Sequence, residues 1–173
     1  MTGELARALN AFAERDLAAL VASGGLPAGT AVDDVLAEWD GDRDDLVRHV
    51  LGRPPQEAFW CPVMLDGFTS VRVWFRGETV LRIVGEWPAL SWPAATALGP
   101  PAARLDYRLD VTLLDRAEYV WPAAGLAIRR DPDSETVVAI VLFAATELGD
   151  YEVRLRESDD DYRESGPATG MRM

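Results

Sequence analysis

One histidine and one cysteine bound the acid–base and nucleophilic chemistry open to this chain. His49 lies in DLVRHVLG, where the spacing predicts a short helix over 44–51, and a cation suits a helix C-terminus. A lone histidine excludes sites that need several, such as most catalytic zinc centres. Cys61 lies in FWCPVM among large apolar residues, the setting of a buried small hydrophobe rather than of a nucleophile, which needs an electropositive, open environment. There is no Lys, so no phosphate loop of the GK[ST] kind exists, and there is no G-x-S-x-G, H-E-x-x-H or C-x-x-C. Carboxylates cluster at Asp33-Asp34, Asp40 to Asp45, Asp131 to Glu135 and Asp159 to Asp161. The Asp40 cluster comes nearest to a calcium loop, but it lacks the central Gly and the bidentate Glu. The expectation is therefore no catalytic residue, no metal and no cofactor.

Aromatic and arginine side chains are more informative. Trp60, Trp74, Trp87, Trp92 and Trp121 fall in or beside predicted strands, and Trp74 alternates with Arg72 and Arg76. An aromatic between two Arg on a half-exposed strand face has the composition of a binding hot spot. Arg72, Trp74, Arg76, Trp87 and Trp121 are the candidate binding residues. The competing structural reading has the Arg stems stacked on Trp74 beneath an overlying helix, with the Trp-Pro pairs as loop anchors.

These residues need a scaffold, and its centre is the stretch LAIRRDPDSETVVAIVLF, 126–143. It reads as a hairpin turned at Asp131-Pro132-Asp133-Ser134, with a return strand apolar on both faces and so covered on both. Before it, Leu5, Leu9, Phe12 and Leu20 give helical spacing over 1–22, stopped by Ser23-Gly24-Gly25. Thr30 is a candidate cap for a short helix carrying Val32, Val35, Leu36 and Trp39. Strands are expected at 63–65, 68–75, 79–84, 104–114 and 119–121, a helical turn at 94–99, and a final helix over 146–156. The fold class is α+β: N-terminal helices (1–50) packed on one face of a mainly antiparallel sheet (59–145), then a C-terminal helix (146–156). Residues 1–156 form one domain, and the acidic tail 157–173 is expected to be disordered.

Two stretches echo each other. LGRPP (51–55) followed by VRVWFRGETVLRIV (71–84) parallels LGPPA (98–102) followed by LAIRRDPDSETVVAIV (126–141). Each return strand reads Glu-Thr-Val-x-x-Ile-Val, which predicts two similar hairpin units in one sheet. Over roughly 44–145 the arrangement resembles tandem-repeat proteins of the β-lactamase-inhibitor-protein and outer-membrane-assembly-lipoprotein kind. That resemblance implies a non-enzymatic, protein-binding role through one face of the sheet.

With 173 residues, 49% of them hydrophobic, the chain is long enough to bury a core without staples. The formal charge of -12 argues against nucleic acid and anionic membranes, which need a basic footprint, and fits a basic protein partner. All 17 basic residues are Arg, the imprint of a GC-rich bacterial genome. The N-terminus lacks the basic start and apolar core of a signal peptide, so the expected location is cytoplasmic. The expected function is non-catalytic protein binding, as by an immunity protein, antitoxin or assembly factor. Two alternatives remain: a Trp/Phe-lined small-molecule pocket with His49 and an Asp as a hydrolase- or isomerase-like pair, and a structural subunit of a larger assembly.

Overall fold

The computed structural model describes residues 3–108, 115–131 and 133–156. The expected tail, 157–173, and the end of the strand expected over 104–114 lie outside the described residues. The chain opens with two helices where one was expected, α1 (Gly3–Ala13) and α2 (Leu17–Ser23). Arg15 takes a left-handed φ of 57°, which breaks the helix, and the Asp16 carboxylate restarts it by accepting the Ala19 N–H at 3.0 Å. Leu5, Ala8, Leu9 and Phe12 of α1 turn inward at helical spacing. Helix α3 (Val32–Glu38) buries Val32, Val35 and Leu36. Thr30 does not cap it; its hydroxyl donates to the Pro27 carbonyl at 2.6 Å.

The helix expected over 44–51 is instead a strand, β1 (Val47–Leu51). Val47, His49 and Val50 lose side-chain freedom in a helix and suit a pleated surface. Pairing with β2 (Gln56–Val63) across a tight connection then decides the conformation. The sheet thus begins at 47 rather than 59. It continues through β3 (Ser70–Arg76), β4 (Thr79–Glu86), β5 (Ala103–Arg108), β6 (Asp115–Trp121), β7 (Leu126–Arg130) and β8 (Val137–Phe143). Helix α4 (Trp92–Thr96) precedes β5, and α5 (Leu148–Arg154) closes the described chain.

The eight strands among the described residues form one antiparallel sheet in the order β1-β2-β3-β4-β8-β7-β6-β5. It consists of two four-stranded meanders joined where β4 meets β8. Aligning GETVLRIV with SETVVAIV makes Val84 and Val141 equivalent, and these two residues face each other in the β4–β8 pair. The two hairpin units are therefore related by a local two-fold through that pair. The Leu-Gly-Pro steps are not equivalent in space: the first lies between β1 and β2, the second between α4 and β5.

On one face, Val71, Val73, Ile83, Leu126, Ile128 and Ile140 pack against Leu5, Leu9, Phe12, Leu20 and Val35. On the other, Trp74, Val84, Val120, Ala127, Val141 and Phe143 pack with Tyr151 of α5. Helices α1 to α4 pack on one face, and α5 covers the reverse. Strand β8 is buried at every residue, as its two-faced apolar sequence requires.

The sheet curls around α5. The Arg53 N–H donates to the Val153 carbonyl at 2.7 Å beside β1, and Arg156 lies 3.6 Å from Glu118 on β6. Flat, six strand spacings would hold β1 and β6 about 29 Å apart. Helix α5 has 7 residues, a length of only about 10 Å. On the helical side, Gly25 and Gly125 cross backbone to backbone. A Cβ on Gly25 would stand 2.8 Å from the Gly125 Cα and 2.3 Å from the Phe143 carbonyl oxygen. That approach lets the segment after α2 close over the ends of β7 and β8. No helix among the described residues is long and apolar enough to cross a membrane.

Candidate protein-binding surface

The five residues singled out in the sequence part company in the structure. Trp74 is 1% exposed, so it is no surface hot spot. Its indole carries the Arg82 guanidinium at 4.5 Å and meets the edge of the His49 ring at 5.1 Å. Arg82, also buried, donates to the Leu155 carbonyl at 2.7 Å. Trp74 is thus part of the seat of α5, and the cation on it comes from the neighbouring strand rather than from Arg72 or Arg76. Trp121 is buried in the core beneath the N-terminal helices. Arg76 is spent on the backbone: its Nε donates to the Glu57 carbonyl at 2.9 Å.

Arg76 stays half-buried at the far end of β3, and Arg72, equally half-buried, and exposed Trp87 lie toward the opposite end. Arg72 pairs with Glu86, and its guanidinium lies 5.5 Å from the Trp60 ring. Trp87 is 45% exposed and sits at a φ of 50°, a conformation costly for a bulky residue, with Ala89 at 54° just beyond. Strain of this kind persists only where surrounding structure imposes it, here beginning with the Trp87 N–H bond to the Val138 carbonyl at 2.9 Å.

Around these two residues lies a surface that sequence reasoning missed. The exposed large apolar side chains among the described residues are Leu46, Val47, Met64, Trp87 and Val153. The first four lie toward one end of the first meander: Leu46 and Val47 where β1 begins, level with Trp60, Met64 just past the end of β2 and Trp87 just past the end of β4. Three strand spacings make this rim about 14 Å wide. Strand β2 alternates, with Ala58, Trp60 and Pro62 toward the α5 side and Cys61 and Val63 toward the helices. Pro62 is tolerated because β1 starts at Val47 opposite Trp60, so no strand lies beside Pro62 on that side. The signal for this patch was the period-two alternation through Ala58, Trp60 and Pro62. Exposed carboxylates flank the rim: Asp42, Asp44 and Asp45 before Leu46, and Asp66 after Met64.

His49 and Cys61 hold no such place. The His49 Nδ1 is 2.9 Å from the Val50 carbonyl, and the ring packs on Trp74. Cys61 is buried, and burial pushes its thiol above the ordinary 9.0, which keeps it neutral. Among the described residues no group of three or more His, Cys, Asp or Glu is placed to hold a metal ion.

Beneath α5 lies a buried ionic cluster. Glu118, 0% exposed, accepts from the Arg129 Nε at 2.7 Å, with Arg156 at 3.6 Å. The Tyr151 ring packs at a tilt against Phe143, centroids 4.7 Å apart, with its hydroxyl facing this cluster. Burial, then the Glu118 charge, push the Tyr151 hydroxyl well above its ordinary value. The cluster seats the helix: it satisfies charges that the sheet's curl closes away from water.

No family model matches the chain, and no curated protein does. Two solved structures are similar at low identity. One is a cysteine-rich secretory protein from Staphylococcus aureus, 11% identical, TM-score 0.42, covering 76% of this chain and 49% of that one. The chain thus spans about half the length of that structure. The other is a DUF4309 family protein, YjgB, from Bacillus subtilis, 12% identical, TM-score 0.39, covering 83% of this chain and 99% of that one.

Proposed function

We propose that the protein is a non-catalytic protein-binding protein, acting by covering a partner as an immunity protein, antitoxin or assembly factor does. The observation that carries this reading is the rim of Leu46, Val47, Met64 and Trp87. Its apolar side chains stand exposed near an Arg72–Trp60 stack, with exposed carboxylates next to Leu46 and Met64 in the chain. Aromatic, Met and Arg side chains are the types enriched at the centre of protein interfaces, with charge at the border. The carboxylate border and the net charge of -12 favour a basic partner, drawn in by electrostatic steering. The reading as a small-molecule enzyme has less support, because Trp74, Phe143 and Tyr151 fill the sheet's concave side around α5.

The test is capture of partners from host lysate by the tagged protein and by its Met64→Asp variant, at low and moderate salt. The expected result is one stoichiometric partner that the wild type holds, that salt weakens, and that Met64→Asp loses while its melting temperature stays unchanged. Met64 is 87% exposed, so the substitution leaves the core alone. Equal capture by both proteins, or none by either, refutes the reading.

A further inference from the structure

Strand β1 is the outer strand at one end of the eight-stranded order, with β2 as its strand neighbour. Sheets normally blunt such an edge with a bulge, a proline, inward charges or a covering element. Strand β1 has none of the first three: its register with β2 runs unbroken through all five pairs, and it contains no proline. The covering element, the end of α5, reaches the Leu51 end, where Leu51 is buried and the Arg53 N–H bonds the Val153 carbonyl, and leaves the Val47 end exposed. The one formal charge of β1, Arg48, is engaged by Glu57. Its first residue, Val47, and the preceding Leu46 are 38% and 45% exposed. This edge borders the rim described above, and its leading end runs straight into Asp44 and Asp45.

We infer that β1 receives an extended, basic segment of the partner as a ninth strand. This inference rests on the binding reading above and deepens it. Backbone hydrogen bonds to an open edge give affinity whatever the sequence, while side chains at alternate positions give specificity. A segment paired along β1 places one row of side chains beside Val47, where apolar residues fit. Its end beside Asp44, Asp45 and Asp42 meets three exposed carboxylates, so Arg or Lys fits there. A second copy of this chain fits less well, because it brings a net charge of -12 to an already acidic border.

The experiment uses the full chain and three capped peptides of about ten residues, long enough to span the strand. One alternates Arg and Val, one is the same peptide N-methylated at successive central residues, and one alternates Glu and Val. Amide shifts and hydrogen exchange of the protein are followed by NMR at low and moderate salt. The Arg-Val peptide is expected to bind in a salt-sensitive manner and to slow exchange in 47–51. N-methylation, which removes the donors of both strand edges, is expected to weaken it by about tenfold or more. The Glu-Val peptide is expected not to bind.

Equal binding of the methylated peptide overturns the inference, as does protection that spares 47–51. Protection of 47–51 that grows with protein concentration and no peptide overturns it too, assigning the edge to a second copy. The two ideas fail separately. If Met64→Asp loses the lysate partner but the peptides leave β1 untouched, the rim stands and the added strand falls. If Met64→Asp keeps the partner, the rim falls whatever the peptides do.

Discussion

Tyr151 is where removal of one side chain tests how the sheet is held in its curl. It is the fully buried residue of α5, packed at a tilt against Phe143 and facing Glu118. A buried aromatic ring removes about 150–250 Å² from water. At about 25 cal/mol per Å² that is worth roughly 4–6 kcal/mol, and measured aromatic-to-alanine losses run about 3–5 kcal/mol. Tyr151→Ala is therefore expected to lose about 3–5 kcal/mol, or about 6–20 °C in Tm for a chain of this size. Tyr151→Phe keeps the ring and is expected to lose under about 1.5 kcal/mol.

The same pair of variants reads the hydroxyl through pH. The folded-state value of Tyr151 lies well above the ordinary 10.0, so the unfolded chain loses this proton first. The stabilisation is complete below pH 10.0 and disappears as pH climbs from there toward the folded value. Urea unfolding followed from pH 8 upward should show stability falling in the wild type, with the part above 10.0 missing in Tyr151→Phe. A loss under about 1 kcal/mol for Tyr151→Ala, well below any buried-aromatic truncation, refutes the reasoning. So does an alkaline limb that Tyr151→Phe leaves intact.

Other consequences follow from the same packing. Gly25→Ala and Gly125→Ala should each destabilise by at least about 1–2 kcal/mol from the left-handed backbone alone. The double variant should lose less than the sum, because one displacement relieves both clashes; denaturant midpoints and a double-mutant cycle check this. Cys61 should resist thiol reagents in the folded protein and react at the unfolding rate, which stopped-flow labelling in rising urea reads. Arg43 clamps α3 to the β3–β4 turn, bonding Asp33 at 2.8 Å and Glu78 at 2.6 Å. That hydrogen bond holds the Glu78 carboxyl below its ordinary 4.5. Its stabilisation is present above 4.5 and lost as pH falls through the lowered value, and Arg43→Gln should return Glu78 to about 4.5 in an NMR titration.

The sequence by itself determined what is local and periodic. Strand β8 was legible because a short apolar run rich in β-branched residues, set off by the Asp131–Ser134 turn, suits a strand covered on both faces, and it lies at the centre of the sheet. The α+β class, the two similar hairpins and the C-terminal helix were legible for the same reason: their periods and turn residues act within a few positions. The tertiary structure decided what depends on distant neighbours. His49 and its flanks carry a weak local preference, and pairing with β2 turned a predicted helix into β1. Alternation put Trp74 opposite the apolar face of its strand, but only the packing of α5 shows that this second face is also covered, which buries Trp74 and Arg82 together. The reverse holds at the rim. Leu46 and Val47 fell in the stretch expected as a helix and Met64 in an expected strand, and neither period marks an exposed residue. They stay exposed because they lie at the end of the sheet, where neither helical layer reaches. Burial is a sum over elements far apart in the chain, so periodicity names a face but not what covers it.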